Sequence, residues 1–545
     1  MSAWSRLRVL AAISLVVPTF VIALAGVPSP AAAAATVVPS QWIAKVYTEG
    51  LGRAPDQSAW ANMVAFFQSN GCSATTLAQK GEPIYESSEF NGLGYDNAAR
   101  LLALYRGALD REPDSSGYTH YLGLLSETPP TPWNTVVTDL FTSPEFTSDA
   151  ATFCTEGSYN FGAGPAITIP LGQSCTGQFC FTGGTQTQLQ TMLDNAKATD
   201  ATVTLAQHVV VSIDTPQTIG PPRTRQAGLD IPSGVTLTTV GQPTPNQYAT
   251  MGRLVRASGF GEGTTGAAVV EVESGAKLLN VWVDGQRTGP TDHQGDTVNV
   301  ETASGSGDTV SSDRLSNAIG FTNLHALGTA EFLPANVPCG STTITGNLVT
   351  AYSSSHTNGD WSDGLSVACE NATVENNTVI DATDVGIVLF RAYPADQKST
   401  VADNTILNAG NPAFGGIVAD PLSNNPPNSP SFAGASVRSN TLWTGPGAYY
   451  HIGLSVGSAA WFDSPNNPAN IGSGASFTGN TLTASATEAI AVSGMLNATV
   501  TGNTLNWTPG QYGRCPQAEI AVDPQDGSGT IQPPVTSVEV RDCIS

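Results

Sequence analysis

The sequence predicts a mainly β protein: a parallel β-helix, preceded by a small all-α domain and a signal peptide. Three observations carry this. A short Asn-centred strand signature recurs along the C-terminal part of the chain. A different signature, built on R-x-P-D, occurs twice ahead of it. The first residues join two arginines to a long apolar run with an alanine-rich end.

The N-terminal stretch is taken first. Arg6 and Arg8 precede the apolar run, and small residues cluster around Ala31 to Ala35. This is the three-part pattern of a secretory signal peptide, placed at residues 1–35. An uncleaved anchor is the rival reading of so long an apolar stretch, but Pro18 and the alanines favour cleavage. No later stretch is apolar enough to span a bilayer, so no stable membrane insertion is expected after cleavage. The chain has 545 residues, 12% of them charged, and a formal net charge of -23. That balance repels phosphates and argues against nucleic acid or an anionic membrane as partner. A texture rich in Thr, Ser, Asn and Gly fits a secreted or cell-surface protein.

Eight cysteines lie beyond the leader: Cys72, Cys154, Cys175, Cys180, Cys339, Cys369, Cys515 and Cys543. In an exported chain they allow up to four disulfides. Connectivity cannot be read from sequence, but spacing favours pairing each with its neighbour in that order. No C-x-x-C pair occurs and the six histidines are scattered, so no metal site is expected.

Residues 36–156 hold an internal duplication. "VYTEGLGRAPDQSAW" from Val46 is matched by "LYRGALDREPDSSGY" from Leu104, so that Tyr47 aligns with Tyr105, Arg53 with Arg111 and Asp56 with Asp114. Downstream, "IYESSEF" from Ile84 is matched by "LFTSPEF" from Leu140. Each unit reads as helix, turn, helix and a capped short helix. Pro55 and Pro113 suit a first helical turn, where no backbone donor is needed. Ser87 and Ser143 suit N-caps, with a glutamate placed favourably for the helix dipole. The arginines and aspartates read as ion pairs and turn formers rather than as a binding site. The duplication resembles a family of unknown function common in exported bacterial proteins, with L-Y-x-x-x-L-x-R-x-P-D-x-x-G followed by S-x-E-F. Only the second copy keeps the glycine, Gly117; the first has Ala59. The resemblance implies no established chemistry. Residues 157–180 read as a linker.

Residues 181–545 carry the coils. The Asn signature is centred on Asn347, Asn377, Asn404, Asn440, Asn480 and Asn503. A second series, "GLSVAC" at Gly364, "GIVLF" at Gly386, "GIVAD" at Gly416 and "GLSVG" at Gly453, alternates with it. The intervals fall in the range of repeat arrays, roughly 20–50 residues. Each repeat offers two or more short strands and no convincing helix, as a parallel β-helix requires. Val374, Val379, Ile387 and Leu389 are assigned to the core. The repeated Asn tolerates a left-handed bend, and its amide can bond to the Asn one coil away. A β-propeller is the rival array, but its hairpin signals are sparse. Leu189, Met192, Leu193 and Ala196 fall at helical spacing, and such a helix could plug the open end of the coil. These features resemble the right-handed parallel β-helix proteins of the pectate-lyase-like class, over about the last two-thirds of the chain. That class includes lyases, hydrolases, epimerases, phage tailspikes and non-catalytic adhesins, so it implies a fold more than a function.

In that class substrates lie along a groove on one face. Carbohydrate chemistry there needs an acid–base pair of carboxylates, or a base beside a group that neutralises a uronate, often Ca²⁺ held by carboxylates. Aligned on the glycines, Asp363 and Asp384 fall on neighbouring coils near His451, with Asp360 in the preceding loop. Arg391 and Asp420 fall at the other strand end, with Lys398 or Arg438. The catalytic candidates are therefore Asp360, Asp363, Asp384 and Arg391. The substrate-binding candidates are Trp361, His451, Asp420 and Tyr393. Trp443, Tyr449, Tyr450 and Trp461 are further aromatics that could face sugar rings. The competing reading makes the aspartates ordinary turn residues before glycine. The clustered N-T-D, D-D, G-H-G and R-I-K elements of polygalacturonases are absent, as is a pectate-lyase arginine motif. The sequence names no cofactor; Ca²⁺ is the one that lyase chemistry would call for. Two functions follow: binding or processing of an extracellular polysaccharide or cell-surface glycan, by a hydrolase or lyase if catalytic, or a non-catalytic adhesin or structural rod.

Overall fold

The computed structural model describes residues 37–155, 169–219, 225–262, 267–289, 291–302, 305–328, 339–392, 396–422, 429–461 and 468–544. The signal peptide, the first half of the linker and Tyr393 lie outside the described residues.

Eight helices run through the first part: α1 (Ser40–Leu51), α2 (Gln57–Asn70), α3 (Ala74–Glu86), α4 (Ser88–Gly92), α5 (Asn97–Leu109), α6 (Ser115–Ser126), α7 (Trp133–Phe141) and α8 (Pro144–Cys154). The duplicated motif has one geometry in both copies. Asp56 caps α2 by accepting from Ala59 N at 2.8 Å, and Asp114 caps α6 by accepting from Gly117 N at 2.9 Å. Pro55 and Pro113 therefore sit just before the cap, outside the first turn expected for them. Ser87 and Ser143 cap α4 and α8. Arg53 pairs with Glu89, and Arg111 with Glu145, at 2.5 Å in each copy. The R-x-P-D and S-x-E-F elements are thus one ion-paired clasp used twice.

From Cys180 onward the chain winds through three sheets: sheet A with 13 strands, sheet B with 10 and sheet C with 13. One coil illustrates the order: Ala372–Glu375 in sheet A, Thr378–Ile380 in sheet B, Val385–Phe390 in sheet C. The next coil repeats it in parallel register, with Val374 opposite Val401, Val379 opposite Ile406 and Ile387 opposite Ile417. The right-handed parallel β-helix expected from the repeats is the fold. One antiparallel pairing, Gln217–Ile219 with Arg225–Ile231, closes the N-terminal edge of sheet C. Val374, Val379, Ile387 and Leu389 are fully buried. Helix α9 (Gln186–Ala196) inserts Leu189, Leu193 and Ala196 into the same core and covers its N-terminal end.

The six asparagines form a continuous ladder. Asn377 Oδ1 accepts from Asn347 N and Nδ2, Asn404 Oδ1 from Asn377, and so on through Asn440, Asn480 and Asn503 at 2.9–3.0 Å. The left-handed residue is the one before each rung, not the rung itself: Gly346, Asn376, Asp403, Ser439, Gly479 and Gly502 all have positive φ. That bend turns the amide inward, where it replaces a missing strand partner. Asp313 continues the ladder one coil earlier by accepting from Val281 N. Asn440→Ala is expected to leave Asn404 N and Val401 O without these partners. It should cost about 1–3 kcal/mol, read as a lower denaturation midpoint.

The four disulfides join Cys72 to Cys154, Cys175 to Cys180, Cys339 to Cys369 and Cys515 to Cys543. They follow the order that spacing favours. Among the described residues no helix is long and apolar enough to cross a membrane.

The helical unit packs on the outer face of sheet B. Trp42, Tyr85 and Leu104 share one apolar cluster with Tyr248, Trp282, Ile380, Leu407 and Trp443. Within that interface lies a buried ion network. Glu49 of α1 pairs with Arg106 of α5 and Arg314 of sheet B; Glu112 pairs with Arg106 and Arg253; Arg253 pairs with Asp284. Three guanidiniums, from Arg106, Arg253 and Arg314, lie 4.7, 3.8 and 5.0 Å from the Trp282 ring centre. Burial alone would raise the Glu49 pKa. Arg106 and Arg314 overcome that and hold it at about 2.

Candidate functional site

The outer margin of sheet C collects the acidic residues, and a column of glycines places them. Leu365, Ile387, Ile417 and Leu454 are register partners pointing into the core. Just before them stand Gly364, Gly386, Gly416 and Gly453. A Cβ on Gly364 would lie 2.4 Å from Val379 Cγ1, and one on Gly386 would lie 2.6 Å from Gly416 O. No larger residue fits that approach, which is why the GLSV and GIVL elements recur. The residues ahead of the glycines are carried to the rim of the sheet.

There the structure sets Asp363 and Asp384 on neighbouring coils; Asp420, at the far end of the next strand in register with Phe390, acts on both through its charge. Asp363 Oδ1 accepts from Val385 N at 3.0 Å, and Oδ2 from Ser366 Oγ at 2.7 Å. Asp420 accepts from Leu422 N at 2.8 Å and Ser458 Oγ at 2.5 Å. The Asp384 side chain makes no hydrogen bond among the described residues, although it is only 8% exposed. Burial pushes the Asp384 carboxyl well above the usual carboxylate range, and the charges of Asp363 and Asp420 push it further. Asp363 is pushed up to about 7, chiefly by burial; its two hydrogen bonds and nearby His325 oppose this, and Asp420 adds to it. Asp363 and Asp384, so poorly solvated, do not both ionise readily at neutral pH.

Stability follows with a definite sign. An acid whose folded pKa lies above its unfolded value binds protons preferentially in the folded state. Its contribution is full in acid and is lost as pH rises from about 4 through about 7. Asp384→Asn removes the proton uptake that folding demands of this carboxyl, so its melting temperature should exceed the parent's at pH 8. The two should converge at pH 4.

Beside the carboxyls lies a wall of rings. His451 is 6% exposed, and burial followed by His356 lowers its pKa to about 4, so it is neutral. Its Nδ1 meets no hydrogen-bond partner among the described residues. Phe414 packs against His356, His451 and Trp361 at 5.9, 5.2 and 5.7 Å between ring centres. Tyr449 stacks on Tyr512 at 3.6 Å and reaches His356 Nε2 at 3.3 Å. Toward the C-terminus, Cys543 N donates to Ala460 O, and the segment Val540–Ile544 covers Ile452 and Ala518.

Other candidates stand elsewhere. Asp360 is removed from the carboxyl group: its backbone carbonyl accepts from Arg287 Nη2 at 2.5 Å, and its charge acts on Arg287 and His293. Arg391 is 2% exposed, with Nη1 donating to Pro421 O and Ala469 O at 3.1 and 3.2 Å. It feels the charge of Asp420, which itself acts on Asp363 and Asp384. The two clusters separated in sequence thus meet through Asp420. Lys398 lies near Asp396, and Arg438 near Glu375 and Asp403. Tyr450 is a core residue and Trp443 lies under the helical unit. Ser366, Ser458, His325, Phe414 and Tyr512 were not singled out from sequence. His325 sits in "TNLHA", which lacks the glycine used for alignment. Ser366, three residues beyond Asp363, reaches it through its hydroxyl.

No protein-family model matches the chain, the helical repeats included, and no curated protein matches it in sequence. Solved structures similar to it include an alginate lyase from Paenibacillus sp. str. FPU-7, with 11% identity and a TM-score of 0.35 over 66% of this chain and 99% of that one. The tailspike protein of E. coli bacteriophage HK620, in complex with pentasaccharide, shows 12% identity and a TM-score of 0.34; the match covers 65% of this chain and 61% of the tailspike. The Dettilon tailspike protein shows 14% identity and a TM-score of 0.29, over 60% and 68% of the two chains. The assignment as a parallel β-helix rests on the strand register described above.

Proposed function

We propose that this is an exported glycan hydrolase whose sheet C rim holds an acid–base set of carboxyls. One observation carries the reading: Asp384 is a nearly buried carboxyl with no hydrogen-bond partner among the described residues, and it feels the charges of Asp363 and Asp420. Such a group keeps its proton at neutral pH and can give it to a leaving oxygen. Asp363 is held by two donors and is the carboxylate suited to activate water or attack the sugar. The glycosidic C–O bond breaks, its oxygen takes the Asp384 proton, and water supplies the hydroxyl to the sugar carbon. Asp420 tunes both partners. Four disulfides suit an oxidising compartment.

The charge favours an uncharged substrate. A lyase must neutralise a uronate carboxylate, whereas this rim carries two carboxyls that also feel the charge of Asp420, and two carbonyls engage Arg391 Nη1. The ring wall around Phe414 and Tyr449 offers apolar faces to sugar. The test is release of reducing ends from a panel of neutral and uronate glycans, with and without EDTA. Cleavage of a neutral glycan, insensitive to EDTA and lost in Asp363→Asn and Asp384→Asn, supports the reading. Cleavage confined to uronates, or unaffected by both variants, overturns it.

A second reading has its own observation. Asp363, Asp384 and Asp420 are only 5%, 8% and 7% exposed. In a structural rod they would be proton-sharing groups that set the coil corner. Binding without release of reducing ends from any glycan would favour that rod or adhesin.

A further inference from the structure

A cleft of about 770 Å³ lies away from the carboxyl rim, at the N-terminal end of sheet B. That is within the range of small-molecule sites, about 300–1,000 Å³. Val210 and Ser212 from the edge strand, with Val255 from its neighbour, line it together with Arg256, Glu262 and Asp292.

Arg256 is 4% exposed and firmly placed. Its Nε donates to Gly285 O at 2.6 Å, and Nη1 donates to Ala257 O and Phe260 O at 3.1 and 3.0 Å. Nη2 makes no hydrogen bond among the described residues. A guanidinium fixed by three carbonyls, with one donor nitrogen left over, is a preorganised binding group. Two carboxylates flank it. Glu262 Oε1 lies 3.5 Å from Nη1 and accepts from Gly259 N at 2.9 Å. Asp292 Oδ2 accepts from Thr288 N and Oγ1 at 3.0 and 3.1 Å.

We propose that this cleft binds an uncharged sugar unit through vicinal hydroxyls, independently of the sheet C carboxyls. A hydroxyl both donates and accepts. Adjacent hydroxyls can therefore take the Arg256 donor and return hydrogen bonds to Glu262 and Asp292. Val210 and Val255 offer an apolar surface to ring C–H groups. Two carboxylates against one guanidinium disfavour an anionic ligand, and the fixed guanidinium disfavours a cation. The cleft would hold a glycan at a distance from the catalytic rim.

The test uses the full chain, titrated by calorimetry with neutral trisaccharides: maltotriose, cellotriose, xylotriose and chitotriose. Ser212 is exposed, so Ser212→Trp fills the cleft without touching Arg256; Asp292→Asn removes one acceptor charge; Asp384→Asn reports on the rim. At least one trisaccharide should bind the parent and Asp384→Asn equally. Ser212→Trp should weaken that binding at least tenfold with an unchanged melting temperature, and Asp292→Asn should weaken it also. Binding by none of the four overturns the proposal. So does binding that survives Ser212→Trp, which assigns it to another part of the chain. Turnover lost in Asp384→Asn bears on the hydrolase reading alone, so the two proposals fail separately.

Discussion

Asp384→Asn is expected to lower turnover on the cleaved glycan by about 10²–10⁴-fold, the span attributable to a general acid. The amide cannot donate a proton to a leaving oxygen, yet it nearly preserves the volume of the buried side chain. KM should change little, because a group that acts on the leaving oxygen contributes mainly in the transition state. The pH profile supplies the sign. The partner carboxylate must be ionised, so the acid limb should rise through about 7, the value to which Asp363 is pushed. The acid must be protonated, so the alkaline limb should fall where Asp384, raised furthest of the pair, gives up its proton. Both limbs belong to the coupled carboxyls rather than to single residues. Asp384→Asn should flatten the alkaline limb. Asp360→Asn, whose loop stands beside Arg287, should leave turnover within about twofold, since it removes no general acid or base. If Asp360→Asn proves as damaging as Asp384→Asn, the proposed placement of the acid is wrong.

Glu49→Ala is expected to produce the largest loss of stability. Glu49 is fully buried and faces Arg106 and Arg314. Removing it leaves two guanidiniums in the interface without their central anion, at a cost of about 3–5 kcal/mol. The comparison is internal. Glu89→Ala breaks the Arg53 clasp, where both side chains are over a third or nearly a third exposed, and should cost less than about 1 kcal/mol. Thermal unfolding of both variants checks the ratio. Because Glu49 lies between the helical unit and sheet B, its loss should also expose the α1–α5 face to protease. Equal shifts for the two variants would show that the network is not what holds the unit on the coil.

Much of the fold was legible because its cause is local and repeated. Each Asn rung sits in the same short context, so six occurrences display the same bend and the same core positions. The duplication of the helical unit was legible for the same reason, but its clasp was not: the ion pairs were expected between the arginines and the aspartates, whereas Glu89 clasps Arg53 and Glu145 clasps Arg111. The glycine column was legible because close backbone approach admits no other residue. Asp360 was misplaced because it lies in a loop without a repeat, where one residue of slack moves a carboxyl out of reach. Arg391 and Asp420 were set apart from Asp363 and Asp384 because alignment by strand ends does not convey how far a charge reaches in a poorly solvated face. His325 escaped notice because its strand lacks the glycine used for alignment, and Ser366 because it lies three residues from Asp363, a spacing that does not mark a shared strand face.

By itself the sequence determined the coil array, the duplicated helical unit and the strand columns, since these depend on spacing and on residues a few positions apart. Only the tertiary structure decided that the helical unit packs on sheet B through buried charges, and that Asp363 and Asp384 share one poorly hydrated rim within reach of the Asp420 charge. The physical reason is burial. Depth and the charges met there are properties of the whole packed chain, and the same aspartate is a solvated turn residue or a proton-holding acid according to what lies over it.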